Sequence, residues 1–280
     1  MELASIVVHP IKSCRGIEVA RARVEKRGLA GDRRWMLVDE RGVFVSQREE
    51  PRLSLVDVAI EGDEILVAQR DAGELRLPRT IAEGPRAAVE VWKRPIHGRV
   101  HEEGSRWFSR WLGRPLRLVH LPDDEPSPLV SKRALPGEEV SFADGYPLLV
   151  CTIASLDALG DRIEARGGVR VPMQRFRPNV VVRGGAPWDE DAWSTLRVGA
   201  VGMRAPKPCE RCVMTTIDPA TARLGPEPLR TLATFRRREN GVWFGVNLVP
   251  TSLGEIAIGD PVRIDERIEP PAFDASVGTS

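Results

Sequence analysis

The shortness of its apolar runs constrains this chain most. From residue 1 to about 90 they read LASIVVHP, GIEVARARVE, RRWMLVDERGVFVSQ, LSLVDVAIEGDEILVA and ELRLP, each closed by turn residues. Runs of this length, rich in Val and Ile, form strands rather than the long amphipathic helices of a bundle. WMLVD and VFVSQ flank Glu40-Arg41-Gly42, and VDVAI and EILVA flank Glu61-Gly62-Asp63, so each pair predicts a hairpin. The expected class is mainly β with a few helices (α+β), its N-terminal part a small barrel or sandwich.

A helix is predicted at about 102–113, where Trp107, Phe108, Trp111 and Leu112 share one face. A second follows at about 153–166, with Leu156, Leu159 and Ile163 on one face and Thr152 or Ser155 as cap. Between them residues 121–140, rich in Pro and charge, read as an exposed loop near the site or a mobile lid. RFRPNVVVRG predicts a strand entered through Arg177-Pro178, WSTLRVGAVGMRAP a hairpin, VWFGVNLVP a strand and GEIAIGDPVRI a last hairpin. KPCERC is expected to be a loop at a strand edge, with VMTTI extended after it.

Charge excludes some functions. Forty-one basic residues against forty acidic ones leave no global field for nucleic acid, so basic groups have to be read locally. Only Lys12, Lys26, Lys93, Lys132 and Lys207 are lysines, and some of the many arginines could fork onto a phosphate or carboxylate. The opening MELASIVVHP has neither the basic flank nor the cleavage site of a signal peptide, and no run approaches the ~20 apolar residues of a membrane span, so a cytoplasmic protein is expected. Four cysteines (Cys14, Cys151, Cys209, Cys212) are too few for a disulfide framework.

Chemistry concentrates in KPCERCVMTTIDPATA, Lys207 to Ala222. Its Cys-x-x-Cys leaves several readings open. Structural zinc needs two more ligands, and no other Cys or His stands at a suitable spacing; His97 and His101 are four apart, but Pro95 and Gly98 disfavour a helix there. A thioredoxin-like redox pair needs the motif at a helix N-terminus, and VMTTI is β-branched. Two inert buried thiols are a third reading, and a thiolate favoured by Lys207, Arg211 and Arg204, ligating a soft metal, is a fourth. Near the N-terminus, HPIKSCRG and GDRRW bring Lys12, Ser13, Arg33 and Arg34 to turns that can hold a phosphate oxygen or remain solvated. Asp218, ahead of Pro219, is a turn residue or a proton relay.

Taken in order, HPIKSCRG, GDRRWMLVD, SFADGYPLLVCTIASL, RFRPNVVV and KPCERCVMTTIDPATA resemble MOSC-domain proteins, in particular the branch that includes the mitochondrial amidoxime-reducing component and its bacterial relatives. The resemblance implies an N-terminal β-barrel domain over 1–92 and a MOSC domain over 93–268, with a molybdenum cofactor (Mo-molybdopterin) held between the domains; the polar EPPAFDASVGTS, 269–280, is expected from its composition to be a flexible tail. It implies that Cys212 is the metal ligand and catalytic residue, with Glu210 and Arg211 touching the cofactor. Lys12, Ser13 and Arg33 match the family's N-terminal contacts to the pterin and its phosphate. Arg177 and Asn179 match a second set, Asp144, Gly145 and Tyr146 lie in the segment lining the pterin, and Asn247 stands at a variable contact.

The implied activity is reduction of N-hydroxylated compounds, namely amidoximes, hydroxylamines and N-hydroxylated bases. Neither a GxGxxG fingerprint nor cluster ligands are present in the sequence, and no fused ferredoxin or membrane anchor is seen, so electrons are expected from a separate soluble protein such as a ferredoxin, cytochrome or reductase. The alternative is a cofactor carrier or sulfur-transfer module, against which stands the lack of any pyridoxal-phosphate domain.

Overall fold

Strands too short to bury their own faces are gathered into four sheets in the computed structural model, which describes residues 1–239 and 241–273. The largest has nine strands. Its order runs Val262–Arg267, Trp193–Val198, Val201–Arg211, Gly241–Pro250, Leu148–Thr152, Val180–Arg183, Glu2–Val8, Ile17–Val19, with Arg237–Arg238 added beside Gly241–Pro250. Neighbours are antiparallel except Leu148–Thr152 and Val180–Arg183. A parallel pair needs a crossover, and helix α2 (Ile153–Glu164) lies within the connection between them. The first strand thus sits inside a sheet otherwise built mostly from the second half of the chain.

A four-stranded sheet orders Trp35–Val38, Arg117–His120, Arg94–His101 and Arg86–Val91, and Asp57–Glu61, Glu64–Gln69 and Gly73–Pro78 form a three-stranded meander. Glu61 pairs with Glu64 across Gly62-Asp63, the hairpin the sequence predicts there. Around Gly42 the second predicted hairpin is reduced to a Val38–Phe44 bridge, with Val45 N–H donating to Leu37 O. The division expected at 92/93 falls in the turn between two paired strands, Arg86–Val91 and Arg94–His101.

Helix α1 (Glu102–Leu112) is capped by His101, whose ring accepts from Gly104 N–H, and stops at Gly113 in the left-handed region, φ 71°. Trp107, Phe108 and Leu112 are buried on one face as the spacing requires, while Trp111 is half-buried. Gly104 lets the helix approach the Arg117–His120 strand, because a Cβ there would lie 2.5 Å from Leu118 Cδ2.

Two expectations are corrected. GEIAIGDPVRI is no hairpin: Gly254–Ala257 pairs with Arg21–Glu25, whereas Val262–Arg267 pairs with Trp193–Val198. Residues 121–140 are no free lid. Arg27 donates to Pro122 O, Glu125 O and Glu139, and Arg94 to Ser127 and Ser141 O, so two buried guanidiniums pin the segment. Of the expected tail, Phe273 stacks on the Arg236 guanidinium at 3.8 Å, and 274–280 lie outside the described residues.

Candidate functional site

The Cys-x-x-Cys segment is not the loop its composition suggests. Val201–Arg211 is one strand running through Cys209, with irregular register on Gly241–Pro250 that leaves Lys207 opposite Asn247 and Arg211 opposite Val242. VMTTI is not extended either. Val213–Thr216 is a 3-10 turn whose Thr215 and Thr216 hydroxyls donate to the carbonyls of Cys212 and Val213, three residues back. This local bonding overrides the strand preference of β-branched residues. Cys212 is therefore held at a corner, where a strand meets a turn.

That corner opens on a cavity of about 490 Å³. Lys12, Ser13, Arg33, Asp144, Gly145, Tyr146, Arg177, Asn179, Glu210, Arg211, Cys212 and Asn247 all line it, although they come from six separate stretches of the chain. Arg34 and Arg204 do not: Arg34 pairs with Asp123 and Arg204 with Glu138. Ser46, Arg48, Trp92, Arg175, Lys207 and Cys209 are further lining residues that motif reading did not select as ligands. Of these only Arg175, the first residue of the RFRPN motif, and Lys207 and Cys209, in KPCERC, carried a local signal.

Positive charge dominates the walls. Lys12, Arg33, Arg48, Arg175, Arg177, Lys207 and Arg211 face Asp144 and Glu210. Burial would raise the Asp144 carboxyl, but Lys12 and Arg48, both hydrogen-bonded to it, hold it well below the usual carboxylate range. It is therefore ionised at neutral pH, and the two cations touching it are partly compensated. Lys12 itself is lowered by burial, an effect that Asp144 offsets in part. Arg33 is engaged as well, donating to Asp32, to Asn179 Oδ1 at 3.1 Å and to Arg177 O at 3.3 Å. Asn179 in turn donates to Val7 O and Asp32, so its amide ties the first strand to the rest of the large sheet.

Arg177 is different. Its guanidinium Nη2 is buried without a hydrogen-bond partner among the described residues, as are Arg175 Nε and Arg211 Nε. Burial, with Arg33 adding repulsion, lowers Arg177 to about 10, so it is still charged at neutral pH. A buried charge with unmet donors is costly. Such donors on residues that line a cavity suit an anion, and Arg forks fit phosphate oxygens. Ser13, Arg33 and Arg177 also have left-handed backbone (φ 72°, 49° and 54°), a strain of order 1 kcal/mol or more each that tends to gather at functional sites.

The two thiols have separate partners. Arg48 Nη2 donates to Cys212 Sγ at 3.2 Å, and Arg211 Nη1 to Cys209 Sγ at 2.9 Å. Cys14 and Cys151 are fully buried, and burial pushes the Cys14 thiol up to about 12. His9 is buried and does not line this cavity, and burial together with Arg177 and Arg33 keeps its ring neutral. Asp218 lies off the cavity, accepting from Ala220 and Thr221 N–H and from Arg175, which is the turn role. A second cavity of about 480 Å³, walled mostly by apolar groups such as Val7, Leu156, Met173 and Ile217, shares Arg175, Arg177 and Met214 with the first.

Comparison with known proteins agrees with this architecture. Residues 1–115 match the model of the MOSC N-terminal beta barrel domain and residues 137–263 that of the MOSC domain. Mitochondrial amidoxime-reducing component 1 of Homo sapiens is 31% identical over 281 residues, covering 94% of this chain and 82% of that protein. The Mus musculus protein of the same name is 33% identical over the same shares. Mitochondrial amidoxime reducing component 2 of Homo sapiens is 31% identical, covering 93% and 82%. Among the described residues no helix is long and apolar enough to cross a membrane.

Proposed function

Because this chain belongs to the family that joins a MOSC N-terminal beta barrel to a MOSC domain, and is similar along most of its length to amidoxime-reducing components, we propose that it is a molybdenum-cofactor reductase of N-hydroxylated compounds. The observation that carries the reading is the set of unpartnered guanidinium nitrogens, Arg177 Nη2 foremost, on arginines that line the same cavity as Cys212. A phosphate-bearing pterin would meet those donors, and a thiolate is the soft ligand molybdenum accepts.

The residues then take these roles. Arg177 would grip the cofactor's phosphate together with Arg33, Lys12 and Ser13, which line the same cavity. Asp144, Gly145, Tyr146, Asn179, Glu210, Arg211 and Asn247 line the pterin. Cys212 ligates the metal and Arg48, anchored on Asp144, orients its sulfur. Asp144 stays ionised and so serves as anchor, not as proton donor, at neutral pH. When bound, the cofactor supplies a two-electron redox centre able to take an oxygen atom, the hard chemistry that the protein positions. The balance is R–NH–OH + 2 e⁻ + 2 H⁺ → R–NH₂ + H₂O: the N–O bond breaks, nitrogen is reduced and the oxygen leaves as water. Electrons come from a separate donor protein in the cytoplasm.

The test is to quantify molybdenum and pterin in protein made in a cofactor-competent host, and to assay benzamidoxime with dithionite-reduced viologen. Stoichiometric metal with turnover is expected. Labile sulfane sulfur without turnover would favour sulfur transfer, and neither would leave a binding module.

A further inference from the structure

The turn joining Arg86–Val91 to Arg94–His101 is made by Trp92 and Lys93, both left-handed with φ of 51° and 65°. Two-residue turns with this backbone favour Asn-Gly or Gly-Gly, and a tryptophan there is strained. The residue is also 53% exposed, although burying an indole is among the larger apolar gains open to a side chain. Folding alone gives no reason for this residue at this place.

Position supplies one. Trp92 lines the same cavity as Cys212. It packs against Phe44 at 5.2 Å with the planes 60° apart, and the Arg48 guanidinium lies 4.8 Å from its centroid. Arg48 is the group that reaches Cys212 Sγ and Asp144 Oδ2, both at 3.2 Å. An indole half open to solvent is thus fixed one side chain away from the sulfur, by contacts that restrict its ring. A flat apolar surface held there can stack a conjugated ring, whereas a compact aliphatic molecule gains little from it.

We propose that Trp92 is a specificity-determining residue, the stacking platform that selects planar, conjugated N-oxygenated substrates, such as aryl amidoximes and N-hydroxylated nucleobases, over small aliphatic hydroxylamines. The assignment rests on the proposed reductase activity. Discrimination is a ratio of kcat/KM values. Ring stacking on an aromatic side chain supports a change of roughly 5- to 50-fold on truncation to alanine.

The experiment measures kcat and KM for benzamidoxime and for N-methylhydroxylamine with reduced viologen, in wild type, Trp92→Ala and Trp92→Phe. The ratio of the two kcat/KM values should fall roughly 5- to 50-fold in the alanine variant, chiefly through KM for benzamidoxime, with partial recovery in the phenylalanine variant. An unchanged ratio, as when Trp92 merely supports Arg48 and both substrates lose alike, overturns the proposal. Binding of benzamidoxime by calorimetry without reductant decides the matter apart from turnover: weaker binding by Trp92→Ala sustains the platform, and equal binding by both proteins, or none by wild type, refutes it. If wild type reduces neither compound, the reductase reading fails while the calorimetric arm still judges Trp92.

Discussion

Cys212 and Cys209 are three residues apart and meet different guanidiniums, which separates their chemistry. Cys209 accepts from Arg211 and packs partly against the apolar cluster of Leu149, Phe176 and Phe244. Cys212, at the strand-to-turn corner, faces Arg48, which also holds Asp144. Exchange of sulfur for a harder oxygen in Cys212→Ser should leave folded, cofactor-containing protein without reductase activity. Cys209→Ser, one step from the proposed ligand, should lose no more than ~10–100-fold. Activity and molybdenum content measured side by side on both variants check this; a dead Cys209→Ser beside an active Cys212→Ser would move the ligand to Cys209. The twelve residues carried over from the motifs converge on one cavity because each motif is local in sequence. Arg48 and Trp92 escaped because their segments, VSQRE and VWKR, look like ordinary strand ends and turns. Their partners lie far along the chain, 164 residues away for Arg48 to Cys212, and at Phe44 and Arg48 for Trp92.

Elements were legible wherever period and punctuation agreed. Helix α2 was expected at about 153–166 and spans Ile153–Glu164, with Thr152 Oγ1 accepting from Ser155 N–H at its N-terminus. KPCERC misled because Pro and charge mark loops locally, while the irregular pairing of Val201–Arg211 with Gly241–Pro250 is a long-range fact. The α2 cap holds a further group that no pattern announces. Ser155 and Thr152 hydroxyls both donate to Glu190 Oε2, and Oε1 has no partner among the described residues. Burial raises this carboxyl to about 7, with Asp191 adding to the shift and the two hydroxyls opposing it. A raised folded-state pKa means that the native protein holds a proton the unfolded chain has lost. Stability from this group is therefore full below the unfolded value near 4.5 and falls as pH rises to about 7, by about 3 kcal/mol in all. Glu190→Gln, which keeps an acceptor for both hydroxyls and cannot ionise, should raise Tm at pH 8 much more than at pH 5. Equal shifts at the two pH values would show that Glu190 is not the titrating group.

Across the whole molecule, charge is nearly balanced while the cavity is strongly basic, so the field that matters is created by folding and not by composition. Its walls come from both halves of the chain. Lys12, Ser13, Arg33 and Arg48 precede residue 50, and Asp144, Arg177, Arg211 and Cys212 come from beyond residue 140. The joint between the halves is itself built of buried polar groups: Asp32, fully buried, accepts from His9 N–H, Asn179 Nδ2 and Arg33. Arg177 sits next to this joint, with its carbonyl accepting from Arg33 and its own Nη2 unmet, and it helps to partition the two cavities. An anion there would satisfy a donor that the fold leaves buried and would be held from both halves at once. One charge-assisted hydrogen bond is worth ~1.5–3 kcal/mol, so Arg177→Met should weaken cofactor retention by roughly 10- to 100-fold. Arg177→Glu adds repulsion toward the phosphate and should fall lower still. Neither change needs to unfold the chain, since Arg177 Nη2 has no hydrogen-bond partner among the described residues and the removed charge was costly to bury. The measurements are pterin content after isolation and Tm of the cofactor-free protein, made on wild type and both variants. Folded protein with pterin declining from wild type through Met to Glu is the expected outcome, and a Glu variant that keeps its full complement of pterin would remove Arg177 from the phosphate site.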